Sequence, residues 1–333
     1  MNTKNFYSAA IFIALYLSCS GSVWSQASAS TDTNAYPNKP VRIVVGFAAG
    51  GGADILARFF AQRFTEIFQQ NFIVENKVGA TGNIAAGFVG KASGDGYTLL
   101  MTPNSHVINS ILHKNLPYDP VRDFTPISLV AIAPNALTVH PSLGIKTPKE
   151  FIALAKTRPG TISYSSPGSG SAQHLAAELF ATMAGIKLLH VPYSGGGPST
   201  TAALGGQVQV LTSSLPTALP HIRSGRLLPL GVTSAARSEL APDLQTIAEA
   251  AELPGYEATV WYGLFASAGT PPLVAQKLNS AIERLLKMPD VREKMINMGF
   301  EPYRGTSEEF GKLIVQDLTR WTKIVELSGA KAD

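Results

Sequence analysis

The sequence predicts an α/β protein built from two lobes. The chain has 333 residues, of which 45% are hydrophobic and 15% are charged, and this length and composition favour two domains over one. A strand, a glycine-rich loop and a helix follow one another repeatedly, and the whole series occurs twice. Strands that alternate with helices indicate mostly parallel sheets with helices on their faces.

The first copy of the pattern begins at residues 41–47 with VRIVVGF, a β-branched run typical of a buried strand. The glycine loop AAGGGAD follows, and ILARFFAQRFTEIF then repeats apolar residues at helical spacing. Asp54 stands where we expect the helix N-cap. A strand at NFIVENK, a loop with an alanine-rich helix, and a strand within GDGYTLLMTP complete a βαβαβ unit.

The second copy covers residues 161–214. TISYSS predicts a strand, PGSGSA a loop and QHLAAELFATMAG a helix, and KLLHVPY, SGGGPST, TAALGG and VQVLTSS repeat the series. The two copies share their organisation but not their residues. Farther along, Thr306 and Glu309 are spaced as a capping box, which predicts the start of a final amphipathic helix.

Two extended segments are the predicted crossings between the lobes, because a pair of extended strands can act as a hinge. They lie near 126–141, where two runs are broken at Pro134, and near 256–272. The predicted boundaries are 36–130 plus about 235–265 for lobe 1, and 131–234 plus about 266–330 for lobe 2.

The N-terminal segment has the pattern of a secretory signal peptide. Lys4 supplies a positive charge, an apolar stretch runs from Phe6 to Leu17, and small-x-small cleavage sites follow at 25–29. The stretch is shorter than the ~20 residues that span a bilayer. We therefore expect removal of 1–27, together with the single Cys19, and a periplasmic location.

Composition and motifs exclude several classes of site. The net charge is +4, but no basic run or basic–aromatic pattern indicates nucleic-acid binding. The six histidines lack the spacing of a metal site. The first glycine loop is neither a P-loop nor a dinucleotide fingerprint, so the sequence predicts no cofactor and no metal.

The first glycine loop of each copy is the candidate binding site. Each precedes a helix, where free backbone N–H groups and the helix dipole, worth about half a positive charge, attract an anion. Such a site binds a carboxylate or a phosphate without a basic side chain. If the lobes face each other, the two loops close on one anion. The alternative is that both loops are ordinary tight turns.

A hydrolase is the catalytic alternative, with Ser169 or Ser171 as nucleophile and His174 as base. The G-x-S-x-G motif is absent, and His174 follows within a few residues on what should be the same helix. No acid is placed to orient it. We therefore predict that the protein is not an enzyme, and we interpret Asp54 as a cap rather than an acid.

Several sequence blocks occur in one order through nearly all of the predicted mature chain. They include YPNKPVRIVVGFAAGGGADILAR, YSSPGSGSAQHLAAELF, HVPYSGGGPS and WYGLFASAGTPP. Together they resemble the Bug-type, or tripartite tricarboxylate transporter, family of substrate-binding receptors. The resemblance implies a type II periplasmic-binding-protein fold, with a small carboxylate ligand between the two lobes. It also implies a membrane permease with a large and a small subunit as partner; we expect a monomeric receptor.

The resemblance also implies which residues bind the ligand, because in this family the glycine loops hold its carboxylate, partly through ordered waters. The corresponding positions of the first loop are Phe47, Ala48, Ala49, Gly50, Gly51, Gly52 and Ala53, followed by Asp54. Those of the second loop are Ser166, Gly168, Ser169, Gly170 and Ser171, with His174 nearby. The residues expected at the distal part of the ligand are Thr102, Asn104, Ser105 and Tyr193.

Two departures from the family pattern bear on the ligand. Ala48 and Ala49 stand where many relatives have prolines, so we expect a wider or more mobile loop. Ser213 and Ser214 stand where some amino-acid receptors have an acidic residue. This favours a mono-, di- or tricarboxylate, aliphatic or aromatic, over an amino acid. A membrane sensor kinase is the alternative partner, since no docking motif in the sequence distinguishes it from a permease.

Overall fold

The computed structural model describes residues 35–331, so the predicted signal peptide and Cys19 lie outside the described residues. The strands are β1 (Val41–Val45), β2 (Phe72–Asn76), β3 (Thr98–Pro103), β4 (Phe124–Val139), β5 (Ser163–Ser166), β6 (Leu189–Pro192), β7 (Val210–Ser214), β8 (Leu228–Val232), β9 (Thr259–Ser267) and β10 (Glu301–Pro302). The helices are α1 (Gly52–Phe68), α2 (Asn83–Gly90), α3 (Ser105–Leu112), α4 (Pro148–Thr157), α5 (Ala172–Ala184), α6 (Gly196–Leu204), α7 (Leu215–Arg223), α8 (Ile247–Ala250), α9 (Pro272–Lys287), α10 (Pro289–Asn297) and α11 (Ser307–Ser328).

The strands form two groups that share β4. The first strand group has the order β2-β1-β3-β9-β4, with β10 also paired to β4, and β1 is parallel to both β2 and β3. The second strand group comprises β8, β4, β7, β5 and β6, in which β5 is parallel to β6 and β7. The predicted alternation of strands and helices is therefore present in both groups.

Strand β1 shows why the buried runs form parallel strands. Ile43, Val44 and Val45 are fully buried although they are consecutive, which requires apolar cover on both faces of the sheet. Helix α1 supplies part of this cover, because Phe60 and Phe64 belong to the same hydrophobic cluster as Ile43. The predicted strand, loop and helix of the first copy thus pack as one unit.

Strand β4 continues through the point at which the sequence predicts a break. Residues up to Pro134 pair with β9, and residues from Asn135 onward pair with β7. Asn135 Nδ2 and the Thr233 hydroxyl both donate to the Ala258 carbonyl oxygen, which ties the two chain crossings together. Asn135 lies within the predicted hinge region near 126–141, and Ala258 lies within the one near 256–272.

The lobe boundaries stay a prediction. Strand β9 pairs with β3 and β4 in the first strand group, and Asn279 of α9 donates to the Ile127 carbonyl oxygen of β4. These contacts do not support assigning 266–330 to lobe 2.

Helix α11 packs against both strand groups through α3 and α5. Asp317 of this helix is buried. The indole N–H groups of Trp261 and Trp321 donate to the Asp317 carboxylate. The buried face of this predicted amphipathic helix includes Phe310, Ile314 and Trp321. Within residues 35–331, no helix has the combined length and apolar character needed to cross a membrane.

Candidate functional site

The N-terminal residues of four helices line one small cavity between the two strand groups, here called the inner cavity. The helices are α1, α5, α6 and α7, each of which follows the carboxyl end of a strand. The cavity has a volume of about 30 Å³. Its lining residues are Phe47, Gly51, Gly52, Ala53, Pro103, Pro167, Gln173, Gly196, Ser214 and Tyr262. None of these described residues is charged, so the helix N-termini dominate the electrostatics of the cavity.

The N-termini at the inner cavity differ from those of three helices elsewhere. Helices α1, α6 and α7 have no side-chain cap, as is also true of α2, α3, α9 and α10 elsewhere, whereas α5 is capped by Ser171. In contrast, α4, α8 and α11 each begin with a complete threonine–glutamate capping box. A missing cap leaves first-turn N–H groups available to another acceptor. The arrangement therefore suits an acceptor-rich anion.

Asp54 shapes the first glycine loop from inside helix α1. It accepts hydrogen bonds from the Gly50 N–H, the Arg58 guanidinium and Asn76 Nδ2, and Asn76 also donates to the Phe47 carbonyl oxygen. The prediction that Asp54 is the N-cap is wrong, because Gly51 occupies that position without a side-chain bond. Since Asp54 lies three residues farther in, its carboxylate can reach back to the loop N–H.

The second glycine loop is held mainly by its own side chains. The Ser171 hydroxyl donates to the Gly168 carbonyl oxygen at 2.7 Å, and the Gly170 N–H donates to His174 Nδ1 at 3.2 Å. Ser166 Oγ lies 2.7 Å from His190 Nε2 and accepts from the Gly168 N–H. The hydroxyls of Ser166 and Ser171 thus fix the loop that carries the backbone donors.

A third glycine loop, between β6 and α6, meets the first loop directly. The Ala48 N–H donates to the Ser194 carbonyl oxygen at 3.0 Å. A Cβ atom on Gly197 would lie 2.3 Å from the Ala49 carbonyl oxygen, so only glycine permits this approach. This loop is recognisable in the sequence, but its glycines are not among the predicted ligand-binding residues. Its run of three glycines was the available signal.

Tyr262 brings a phenol from β9 to the inner cavity. Burial raises the pKa of Tyr262 to about 12, and the Ser214 hydroxyl partly offsets that shift. The phenol is therefore neutral at physiological pH and can donate a hydrogen bond. A Cβ atom on Gly52 would lie 2.2 Å from the Tyr262 hydroxyl, so Gly52 makes room for it.

A larger outer cavity of about 300 Å³ lies beside the inner one, and Pro167 lines both. The Thr81 hydroxyl donates to the Ser169 carbonyl oxygen across it at 2.5 Å. Its other lining residues are Gly46, Gly79, Ala80, His113, Gly168, Pro192, Tyr193 and Ser194.

The structure brings part of the predicted site together. Five predicted residues line the inner cavity, namely Phe47, Gly51, Gly52, Ala53 and Ser214. Three line the outer cavity, namely Gly168, Ser169 and Tyr193. Nine others are buried and line neither cavity, namely Asp54, Thr102, Asn104, Ser105, Ser166, Gly170, Ser171, His174 and Ser213. Ala48, Ala49 and Gly50 also line neither cavity and are partly exposed or exposed. Sequence reasoning missed Pro103, Pro167, Gln173, Gly196 and Tyr262.

The chain is similar to known proteins along most of its length. The profile of the tripartite tricarboxylate transporter family receptor matches residues 56–330. Protein BugT of Bordetella pertussis is 34% identical, over 92% of this chain and 93% of its own. The R. palustris protein Rpa4515 with adipate has a TM-score of 0.87 and 35% identity, covering 90% of this chain and all of its own.

A second solved structure is similar. MatC of Rhodopseudomonas palustris with bound malate has a TM-score of 0.83 and 31% identity, covering 87% of this chain and all of its own. The predicted periplasmic-binding-protein fold is thereby confirmed. The chain belongs to the tripartite tricarboxylate transporter receptor family, whose members are periplasmic solute-binding receptors and not enzymes.

Proposed function

We propose that this chain is an extracytoplasmic receptor that binds a small carboxylate in the inner cavity and delivers it to a tripartite membrane transporter. The observation that carries the proposal is the meeting of four helix N-termini, three of them without side-chain caps, around a cavity whose lining within residues 35–331 contains no charged residue. Backbone N–H groups there can stabilise a carboxylate without a countercharge.

The binding residues follow from the same geometry. The first loop, 47–53, supplies the N-terminus of α1, and the second loop, 166–171, supplies that of α5. Gly196 and Ser214 add the N-termini of α6 and α7. The outer cavity, with Ser169 and Tyr193, would accommodate the part of the ligand distant from the carboxylate.

Ligand binding would close the two strand groups on each other. Closure about the crossings at 134–135 and 258–259 brings the first and third glycine loops together, and a ligand that contacts both groups favours that state by its differential affinity. The closed form would then be the one that a permease with large and small subunits recognises. The signal-peptide pattern of residues 1–27 supports a periplasmic location for the mature receptor.

A thermal-shift screen of the mature protein against mono-, di- and tricarboxylates and their amides tests this function. A ligand that binds only the folded state raises the melting temperature, and the rise grows with the logarithm of its concentration above Kd. We expect a clear rise with at least one carboxylate and none with its amide, because the amide carries no charge. Equal shifts for an acid and its amide, or no shift with any acid on refolded protein, would count against the proposal.

A further inference from the structure

Gln173 is the one side-chain amide among the described residues that line the inner cavity. It is the second residue of α5 and is only 6% exposed. Within residues 35–331 the fully buried polar atoms that lack a partner do not include its amide atoms. The amide therefore faces the cavity space, where water or a ligand can bond to it.

The chemistry of an amide limits what that partner can be. The Gln173 side chain has two N–H donors and a carbonyl oxygen that accepts. A carboxylate only accepts hydrogen bonds, so it can satisfy the N–H donors but never the carbonyl oxygen. A ligand that also carries a donor close to its carboxylate would bond to the Gln173 carbonyl oxygen directly, in place of water.

Two donors are common next to a carboxylate, an ammonium group and a hydroxyl group. An ammonium group in the inner cavity would face the positive ends of the helices, and no carboxylate side chain lines the cavity to balance it. A hydroxyl group is uncharged and both donates and accepts. It could also bond to the hydroxyls of Ser214 and Tyr262, which line the same cavity.

We propose that Gln173 makes this receptor selective for 2-hydroxycarboxylates over both the unsubstituted acids and the 2-amino acids. The inference rests on the proposed carboxylate site and adds the identity of the group beside the carboxylate. In this arrangement the helix N-termini hold the carboxylate, and Gln173 bonds to the neighbouring hydroxyl. Gln173 is thus a residue that determines specificity, while the backbone provides the general affinity for acids.

Matched ligand pairs measured by calorimetry test the inference. The pairs are malate with succinate and lactate with propionate, each differing only in the 2-hydroxyl group, and aspartate is the amino counterpart of malate. We expect the hydroxy acid of at least one pair to bind about tenfold more tightly than its partner. A site that bonds to a ligand hydroxyl discriminates strongly against analogues that lack it. Aspartate should bind more weakly than malate.

Gln173→Leu then assigns the selectivity to this side chain. We expect the affinity ratio within the selected pair to fall to about one, while the deoxy acid still binds. Gln173→Met, a second variant of similar length, guards against a local packing defect. The ratio compares two ligands on one protein, so a general loss of folded protein cancels. Gln316→Leu, on the exposed side of α11, is the matched control and should keep the wild-type ratio.

The outcomes separate this inference from the proposed function. If wild type binds acids without preferring the hydroxy member, or if both Gln173 variants keep the preference, the inference is wrong and the carboxylate receptor stands. If wild type binds no carboxylate of the four, measured by calorimetry and by thermal shift, then the inference fails, and the broader acid panel decides the receptor function.

Discussion

Asp54 places a negative charge beside a cavity proposed to hold an anion, and its hydrogen bonds explain why this is tolerated. Burial acts to raise the pKa of Asp54, but hydrogen bonds from Arg58, from the Gly50 N–H and from Asn76 hold that pKa below its ordinary value. The carboxylate is thus ionised and turned toward Arg58. It positions the Gly50 backbone instead of competing with a ligand.

Replacing Asp54 by asparagine should therefore cost stability in a pH-dependent way. A folded-state pKa below the unfolded value means that the contribution is present above about pH 4 and is lost as the pH falls through the folded-state pKa. We expect Asp54→Asn to lower the free energy of unfolding by about 1–3 kcal/mol at pH 7 and by less at pH 3. Urea denaturation at both pH values measures the difference.

Glu66→Gln is the control for this experiment, because Glu66 lies on the same helix with its carboxylate half exposed and paired with Arg63. It should change the free energy of unfolding by less than about 1 kcal/mol. A difference between Asp54→Asn and wild type that is the same at pH 7 and pH 3 would contradict the argument.

At the scale of single residues, the glycines of the candidate site can be predicted from the sequence far better than the side chains that line its cavity. Gly50–Gly52 and Gly168–Gly170 are recognisable because clustered glycines after a strand have few other uses. Tyr262 and Gln173 carry no such local pattern. Tyr262 reaches the cavity only because β9 returns to pair with β3, a contact across more than a hundred residues that the sequence does not encode locally.

At the scale of elements, some helices begin with a side-chain cap and others do not, and the uncapped ones include three at the inner cavity, α1, α6 and α7. Helix α11 belongs to the first kind, since the Thr306 side chain accepts from the Glu309 N–H and Glu309 accepts from the Thr306 N–H. The predicted capping box is confirmed there. A cap of this kind serves stability alone, because α11 is absent from the cavity lining.

Thr306→Ala should lower the free energy of unfolding by about 1 kcal/mol, the usual cost of losing an N-cap. The affinity for any acid identified by the thermal-shift screen should stay within about twofold of wild type. Thr319→Ala, exposed in the interior of the same helix, is the control and should leave stability nearly unchanged. A loss of affinity in Thr306→Ala without a loss of stability would be inconsistent with a purely structural cap.

Strand β4 shows where element prediction from sequence stops. Pro134 predicted a break, yet one strand of 16 residues, Phe124–Val139, runs through this position. A proline in a strand lacks only one donor, and here it falls where the pairing partner changes from β9 to β7. The sequence indicates that this position is special, but the change of partner depends on contacts with segments far along the chain.

For the whole molecule, the contact between the first and third glycine loops makes closure sensitive to a single methyl group. We expect Gly197→Ala to hold the two strand groups apart, because the added Cβ would lie 2.3 Å from the Ala49 carbonyl oxygen. Affinity for the identified acid should fall at least about tenfold, in line with a smaller closed population. Small-angle scattering should show less ligand-induced compaction than wild type.

Gly205→Ala is the matched control, since it lies at the opposite end of α6 and its Cβ would make an ordinary contact of 3.5 Å. It should keep both the affinity and the compaction of wild type. Full compaction and full affinity in Gly197→Ala would mean that the two loops need not touch in the liganded receptor.

Among the residues that the structure describes, no charged side chain lines the inner cavity, and this has a consequence for how such a receptor can change. The proposed anion-holding groups are backbone amides, which no side-chain replacement removes and which do not titrate between acidic and alkaline pH. Holding an acid and choosing among acids then depend on different atoms. Substitutions at Gln173, Ser214 or Tyr262 could redirect the receptor to a new cargo while its capacity to retain a carboxylate is inherited unchanged.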